Sequence, residues 1–114
     1  MSRMIDAARA YQAGATHRSL RAQEAEVFQV TNAGLRAART ASAVAQARAL
    51  ADNRRLWTTV NDLMRDPDNA LPVELRASIF SVGLAVQREM DLPAPNFDFL
   101  IAINENLAAG LTAG

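Results

Sequence analysis

The sequence predicts an all-α protein, a single compact bundle of about five helices occupying residues 1–114 as one domain. Three observations carry this. Alanine, leucine, arginine, glutamine and glutamate dominate the composition, and these residues lose little side-chain freedom in a helix. Only 5 glycines and 4 prolines interrupt the chain. Apolar residues recur at spacings of three and four, and no alternating strand pattern or two-residue hairpin signal competes with them.

The first predicted helix runs from about Ser2 to Ala13 and ends near Gly14. Its apolar stripe of Met4, Ala7, Ala8 and Tyr11 is thin, so it is expected to dock weakly and to cover an apolar groove when no partner is bound. The second follows Ser19, a plausible N-cap, and extends to about Arg39. Val27, Phe28, Thr31, Leu35 and Ala38 fall on one face. The third runs from about Ser42 to Arg65. Leu50, Asn53, Trp57, Val60 and Met64 make its stripe, which Leu56 and Leu63 widen. Asp66-Pro67-Asp68-Asn69 is dense turn chemistry, and Pro72 suits the first turn of the fourth helix, which reaches Met90.

On the fourth helix Leu75, Ile79, Val82, Gly83, Val86 and Met90 share one face, with Phe80 and Leu84 as a second ridge. Gly83 costs about 1 kcal/mol relative to alanine inside a helix, which close approach of a neighbour would offset. After Leu92-Pro93-Ala94-Pro95, Asn96 caps a last helix to about Leu111. Phe97, Leu100, Ile101, Asn104, Leu107, Ala108 and Leu111 line one face, with Phe99 and Ile103 as its second ridge. Two helices are therefore apolar over more than the roughly 100° stripe a surface helix needs. Either they are inner helices packed on two sides, or part of their surface forms a groove for a partner helix.

Composition also narrows the function. The 12 basic residues, all arginine, balance 12 acidic ones, so no general field draws the chain to nucleic acid or to anionic membrane. Without cysteine there are no disulfides or thiolate metal sites. Neither a signal peptide nor a membrane span is evident, and a cytoplasmic location is expected. The only histidine, His17, sits in a predicted loop without a neighbouring nucleophile. The Asp66, Asp68 and Asn69 cluster lacks the glycine and distal glutamate of a calcium loop. The expectation is a protein that is not an enzyme and needs neither metal nor cofactor.

Arg36, Arg39, Arg54 and Arg55 are the candidates for phosphate contact, and an RNA-binding reading starts from them. Asp52, Asp62 and Glu105 are available to neutralise them, and no aromatic residues interleave as single-strand binding requires. Asn53 and Asn104 lie on otherwise apolar faces. They either hydrogen-bond within the bundle and fix helix register, or one of them reads a client backbone. Trp57 is read as core or as a contact residue, and needs an indole N–H partner if buried.

Three segments together resemble the FlaF family of flagellar biosynthesis regulators. The first is Asn53-Arg54-Arg55-Leu56-Trp57-Thr58-Thr59 with the following Asp66-Pro67-Asp68-Asn69-Ala70-Leu71-Pro72. The second is Glu74-Leu75-Arg76-Ala77. The third is Leu100-Ile101-Ala102-Ile103-Asn104 with Leu107 and Gly110-Leu111. Ala10-Tyr11-Gln12 and the 24–38 helix also fit, so the resemblance covers most of the chain. It departs at residues 85–96, where the family usually has a basic helix end and a short polar link. This chain has Gln87-Arg88-Glu89-Met90-Asp91 and a Pro-Ala-Pro loop instead.

The resemblance implies a non-enzymatic regulator that binds flagellin as a secretion chaperone and promotes flagellin synthesis together with the translational regulator FlbT. The alternatives are direct binding to flagellin messenger RNA, or an adaptor acting mainly through FlbT. A helix-in-groove contact would combine Leu56 and Val60 with Phe80, Leu84, Phe99 and Ile103.

Overall fold

In the computed structural model the backbone is described for residues 24–113 and the side chains for residues 24–110. Four helices occupy this range, with no strand among the described residues. They are α1 (24–38), α2 (Ala43–Arg65), α3 (Val73–Met90) and α4 (Phe97–Ala113). The all-α prediction holds over the described residues, where four helices stand at the places of the second to fifth predicted ones. The helix predicted at Ser2–Ala13, with Gly14, His17, Ser19 and the motif at Ala10-Tyr11-Gln12, lies outside the described residues, as does the side chain of Leu111.

Helix boundaries follow local polar chemistry. Ser42 accepts a hydrogen bond from the amide of Ala45 at 3.2 Å, satisfying a donor that the first turn of α2 would otherwise leave free. At the other end, Asn69 donates its side-chain amide to the Leu63 carbonyl at 2.8 Å. The Asp68 amide donates to Asp66 Oδ1 at 2.9 Å, and the Leu71 amide donates to Asn69 Oδ1 at 2.9 Å. The polar turn is therefore held by its own side chains, as Asx-type turns are. Pro72 sits at the N-cap of α3, one position before the helical turn expected for it, and makes no side-chain cap. Asn96 caps α4 by accepting from the Phe99 amide at 3.1 Å, while its own amide donates to Glu89 Oε2 at 3.0 Å.

α1 and α2 are antiparallel, linked by a short turn and by the Phe28–Trp57 ring pair, which meet edge-to-face at 6.2 Å. α3 runs antiparallel to α2, and Met90, Gly83 and Phe80 come level with Asn53, Asn61 and Arg65. α4 lies against α1 and α2, accepting a hydrogen bond from each and donating one back to α2 through Asn104. Leu35, Trp57, Val86 and Leu100 are fully buried, one from each helix. Phe28, Ala38, Ala49, Met90, Phe97, Ile101 and Ala108 complete the same core.

Gly83 justifies its place in a helix interior. A Cβ built there would lie 2.8 Å from Asn61 Cγ and 2.9 Å from Asn61 Nδ2, so only a residue without a side chain lets α3 approach α2 this closely. The face of α1 is rotated from the one expected. Ala25, Phe28, Asn32, Leu35 and Ala38 point inward, while Val27 is 49% exposed. The cause is Asn32. Its amide donates to the Ile101 carbonyl at 3.0 Å, so a polar residue holds a core position and Val27 is left outside. Leu75, expected on the inner face of α3, is likewise exposed, one turn beyond where α2 ends and its packing stops.

Candidate functional site

Two features stand out once the core is accounted for: a buried amide cluster and a set of apolar side chains that nothing in the described bundle covers.

The amide cluster joins three helices. Trp57 donates its indole N–H to Asn104 Oδ1 at 2.8 Å, and Asn104 Nδ2 donates to Asn53 Oδ1 at 2.7 Å. Asn53 Nδ2 in turn points at Met90 Sδ at 3.3 Å, a weak acceptor on α3. Asn53, Trp57 and Asn104 have no exposed surface. Each amide orients the next, so the chain of bonds fixes the rotation of α2 against α4 in a way that apolar packing alone would not. It is closed to solvent and linked internally. It is a structural cluster, and the reading of Asn53 and Asn104 as a mutual hydrogen bond is the one the geometry supports.

The four arginines considered for phosphate contact are all engaged. Arg36 pairs with Glu105, Arg39 with Asp98 at 2.5 Å, Arg54 with Asp91 at 2.8 Å, and Arg55 with Asp52 one turn away. Two of these partners were not expected, because Asp98 and Asp91 are distant in sequence. Asp62 is instead taken by Arg65. All these pairs are largely exposed, and such pairs contribute about 0–1 kcal/mol each. Arg39→Ala is accordingly expected to lower stability by less than about 1 kcal/mol in denaturant titration. Among the described residues no group of three or more His, Cys, Asp or Glu side chains is placed to hold a metal ion. No described helix is long and apolar enough to cross a membrane.

The six residues anticipated as a partner surface are spread over different surroundings. Val60 is buried with the core, and Leu56 and Ile103 are half-buried against it. Phe80 is half-buried with the Arg65 guanidinium 5.8 Å from its ring centre, a cation–π contact. Leu84 and Phe99 remain open, 42% and 38% exposed. Val73, Leu75 and Leu92 are also exposed, so α3, α4 and the loop between them carry five large apolar side chains that the other described residues leave open.

A second uncovered region was not anticipated. A shallow groove between α1 and α2 is lined by Val27, Val30, Thr31 and Gly34 on one side and by Leu56 and Thr59 on the other. Its rim carries the Asp52–Arg55 ion pair. The signal for it lay in the register of α1. Once Asn32 is placed inward, Val27, Val30 and Gly34 must face out.

Of the residues in the resembling motifs, Asn53, Trp57, Leu100, Ile101 and Asn104 are buried, while Arg54 and Arg55 are exposed and ion-paired. The motif thus marks the α2–α4 contact. A family model described as "Flagellar protein FlaF" matches residues 7–111 of the 114. No curated protein and no solved structure is similar enough to count as a match.

Proposed function

The chain belongs to the FlaF family of flagellar proteins, and on that premise we propose that it serves flagellum biogenesis without catalysis, by binding flagellin as a secretion chaperone and acting with the translational regulator FlbT to promote flagellin synthesis. The observation that carries this reading is the exposure of Leu84 on α3, Leu92 in the loop after it and Phe99 on α4, large apolar side chains outside the core. Flagellin's terminal segments are amphipathic and poorly folded before assembly, so a chaperone has to offer apolar surface to their faces.

The magnitudes constrain how the contact is made. Covering the exposed fraction of Leu84 and of Phe99 contributes about 1 kcal/mol each. Ordering a disordered client segment costs about 2–5 kcal/mol or more. Two side chains are therefore insufficient, and the contact has to include further apolar side chains such as the half-buried Phe80 of α3 and Ile103 of α4. Direct binding to messenger RNA loses its support, since Arg36, Arg39, Arg54 and Arg55 are already neutralised by carboxylates.

The test is a double substitution, Leu84→Asp with Phe99→Asp. Both positions are exposed, so helicity measured by circular dichroism is expected to stay unchanged while flagellin no longer co-purifies. Co-purification of flagellin at the wild-type level with the double variant would refute the assignment to these side chains of α3 and α4.

A further inference from the structure

The groove between α1 and α2 is not used by the reading above, and its features are self-complementary. Its apolar lining includes Val30, 66% exposed and among the most open large apolar side chains described. One helical turn further, Gly34 faces open space, since a Cβ built there would meet nothing within 4 Å. The groove therefore presents a protrusion and a gap of matching kind, four residues apart on the same helix face.

Charge adds a second relation. Glu26 lies one turn before Val30 on the same face of α1 and lines an adjoining hollow that shares Val27, Val30 and Thr31 with the groove. Arg48 lies on the face of α2 that also carries Asp52, Arg55 and Thr59, one turn beyond Asp52. Both are exposed, and among the described residues neither has an ion-pair partner, whereas Arg36, Arg39, Arg54, Arg55 and Arg65 all do. The Phe28–Trp57 and Arg39–Gln46 contacts set the antiparallel register of the two helices. That register puts Arg48 level with Ala37. Beyond the two ends of the groove thus lie an acid and a base unpaired among the described residues, and the point midway between Glu26 and Ala37 falls between Thr31 and Asn32.

The midpoint of Val30 and Gly34 is Asn32. At about 1.5 Å of rise per residue, the steric and the electrostatic midpoints coincide to within about 1 Å along α1. A two-fold axis through that point satisfies both relations at once. It sets Val30 of each copy against Gly34 of the other, and Glu26 of each against Arg48 of the other. We propose that the α1–α2 groove is a homodimer interface, in which a second copy of this chain docks antiparallel about a two-fold axis near Asn32. Isologous contacts of this kind are the commonest in soluble oligomers. A contact confined to the 15 described residues of α1 spans about 22 Å, short of a standard-size interface, so the dimer is weak, with dissociation roughly in the micromolar range.

The proposal does not depend on flagellin binding, because it uses a different face. The test is sedimentation equilibrium of the full chain from low micromolar to near-millimolar concentration. Wild type is expected to move from monomer to dimer mass. Glu26→Arg and Arg48→Glu, each alone, are expected to weaken dimerisation about tenfold, because each creates two like-charge contacts across the axis. The double variant E26R/R48E should return to within about threefold of wild type, and Val30→Asp should be monomeric. All three positions are exposed, so circular dichroism is expected to match wild type in every variant. A wild-type chain that stays monomeric overturns the proposal, as does a dimer indifferent to the single charge reversals. So does a monomeric wild type whose flagellin binding is lost in Val30→Asp, which would assign the groove to the client.

Discussion

Asn104→Ala is expected to lower the stability of the bundle by roughly 3–5 kcal/mol, a large part of what holds a domain of this size together. Asn104 is the centre of the amide cluster. It accepts from the Trp57 indole at 2.8 Å and donates to Asn53 Oδ1 at 2.7 Å, with no exposed surface at any of the three residues. Truncation leaves two buried polar groups without partners. Each costs about 1–3 kcal/mol, and the lost side-chain volume adds a small cavity. Asn53→Ala is expected to cost less, since it orphans only Asn104 Nδ2 and gives up a weak contact to Met90 sulfur. Guanidinium titration followed by the fluorescence of Trp57, the sole tryptophan, measures both. A loss below about 1 kcal/mol for Asn104→Ala would mean that the cluster is dispensable.

The second large effect reverses the usual rule for glycine in helices. By propensity alone, Gly83→Ala would stabilise by about 1 kcal/mol. In this bundle the new methyl would run into the Asn61 side chain, whose Cγ lies 2.8 Å from the Cβ position and which is itself buried. Asn61 has to leave its place or α3 has to move off α2, at a cost of about 1–3 kcal/mol. The expected net result is destabilisation. The pairing is testable by a cycle. Asn61→Ala removes the obstruction together with a buried oxygen that has no hydrogen-bond partner, so G83A in an N61A background should be stabilising. A positive effect of Gly83→Ala in the wild-type background would show that the two helices are not in close contact there.

The helical class, the helix start near Ser42, the cap at Asn96, the polar turn after Arg65 and the close approach at Gly83 were all readable, because each is encoded by local residue chemistry. So was the partnership of Asn53 with Asn104, which follows from two polar residues on apolar faces that each need a partner. The rotation of α1 was not readable from hydropathy. A pattern that seeks apolar residues takes Val27 and Thr31 over Asn32, and only the position of the Ile101 carbonyl makes Asn32 the better inward residue. The ion pairs Arg39–Asp98 and Arg54–Asp91 were equally hidden, since they depend on tertiary proximity across 59 and 37 residues of sequence.

For the partner surface, periodicity identified the second ridges of α3 and α4 but could not divide them between core and solvent. Ile103 and Leu56 lean on the core, whereas Leu84 and Phe99 do not. The same four-residue spacing supports both outcomes, and only the neighbouring helices decide between them. The α1–α2 groove escaped notice for the related reason that it appears only when the rotation of α1 is known.

The central claim is that the exposed apolar side chains of α3 and α4 receive a flagellin segment, and calorimetric titration of purified flagellin into this protein tests it most directly. Burial of apolar surface predicts a clearly negative heat-capacity change. It also predicts an affinity that barely differs between 50 and 200 mM salt, and loss of the signal in the Leu84→Asp, Phe99→Asp double variant. No binding to flagellin, or binding that weakens by orders of magnitude with salt and shows no heat-capacity change, would contradict it.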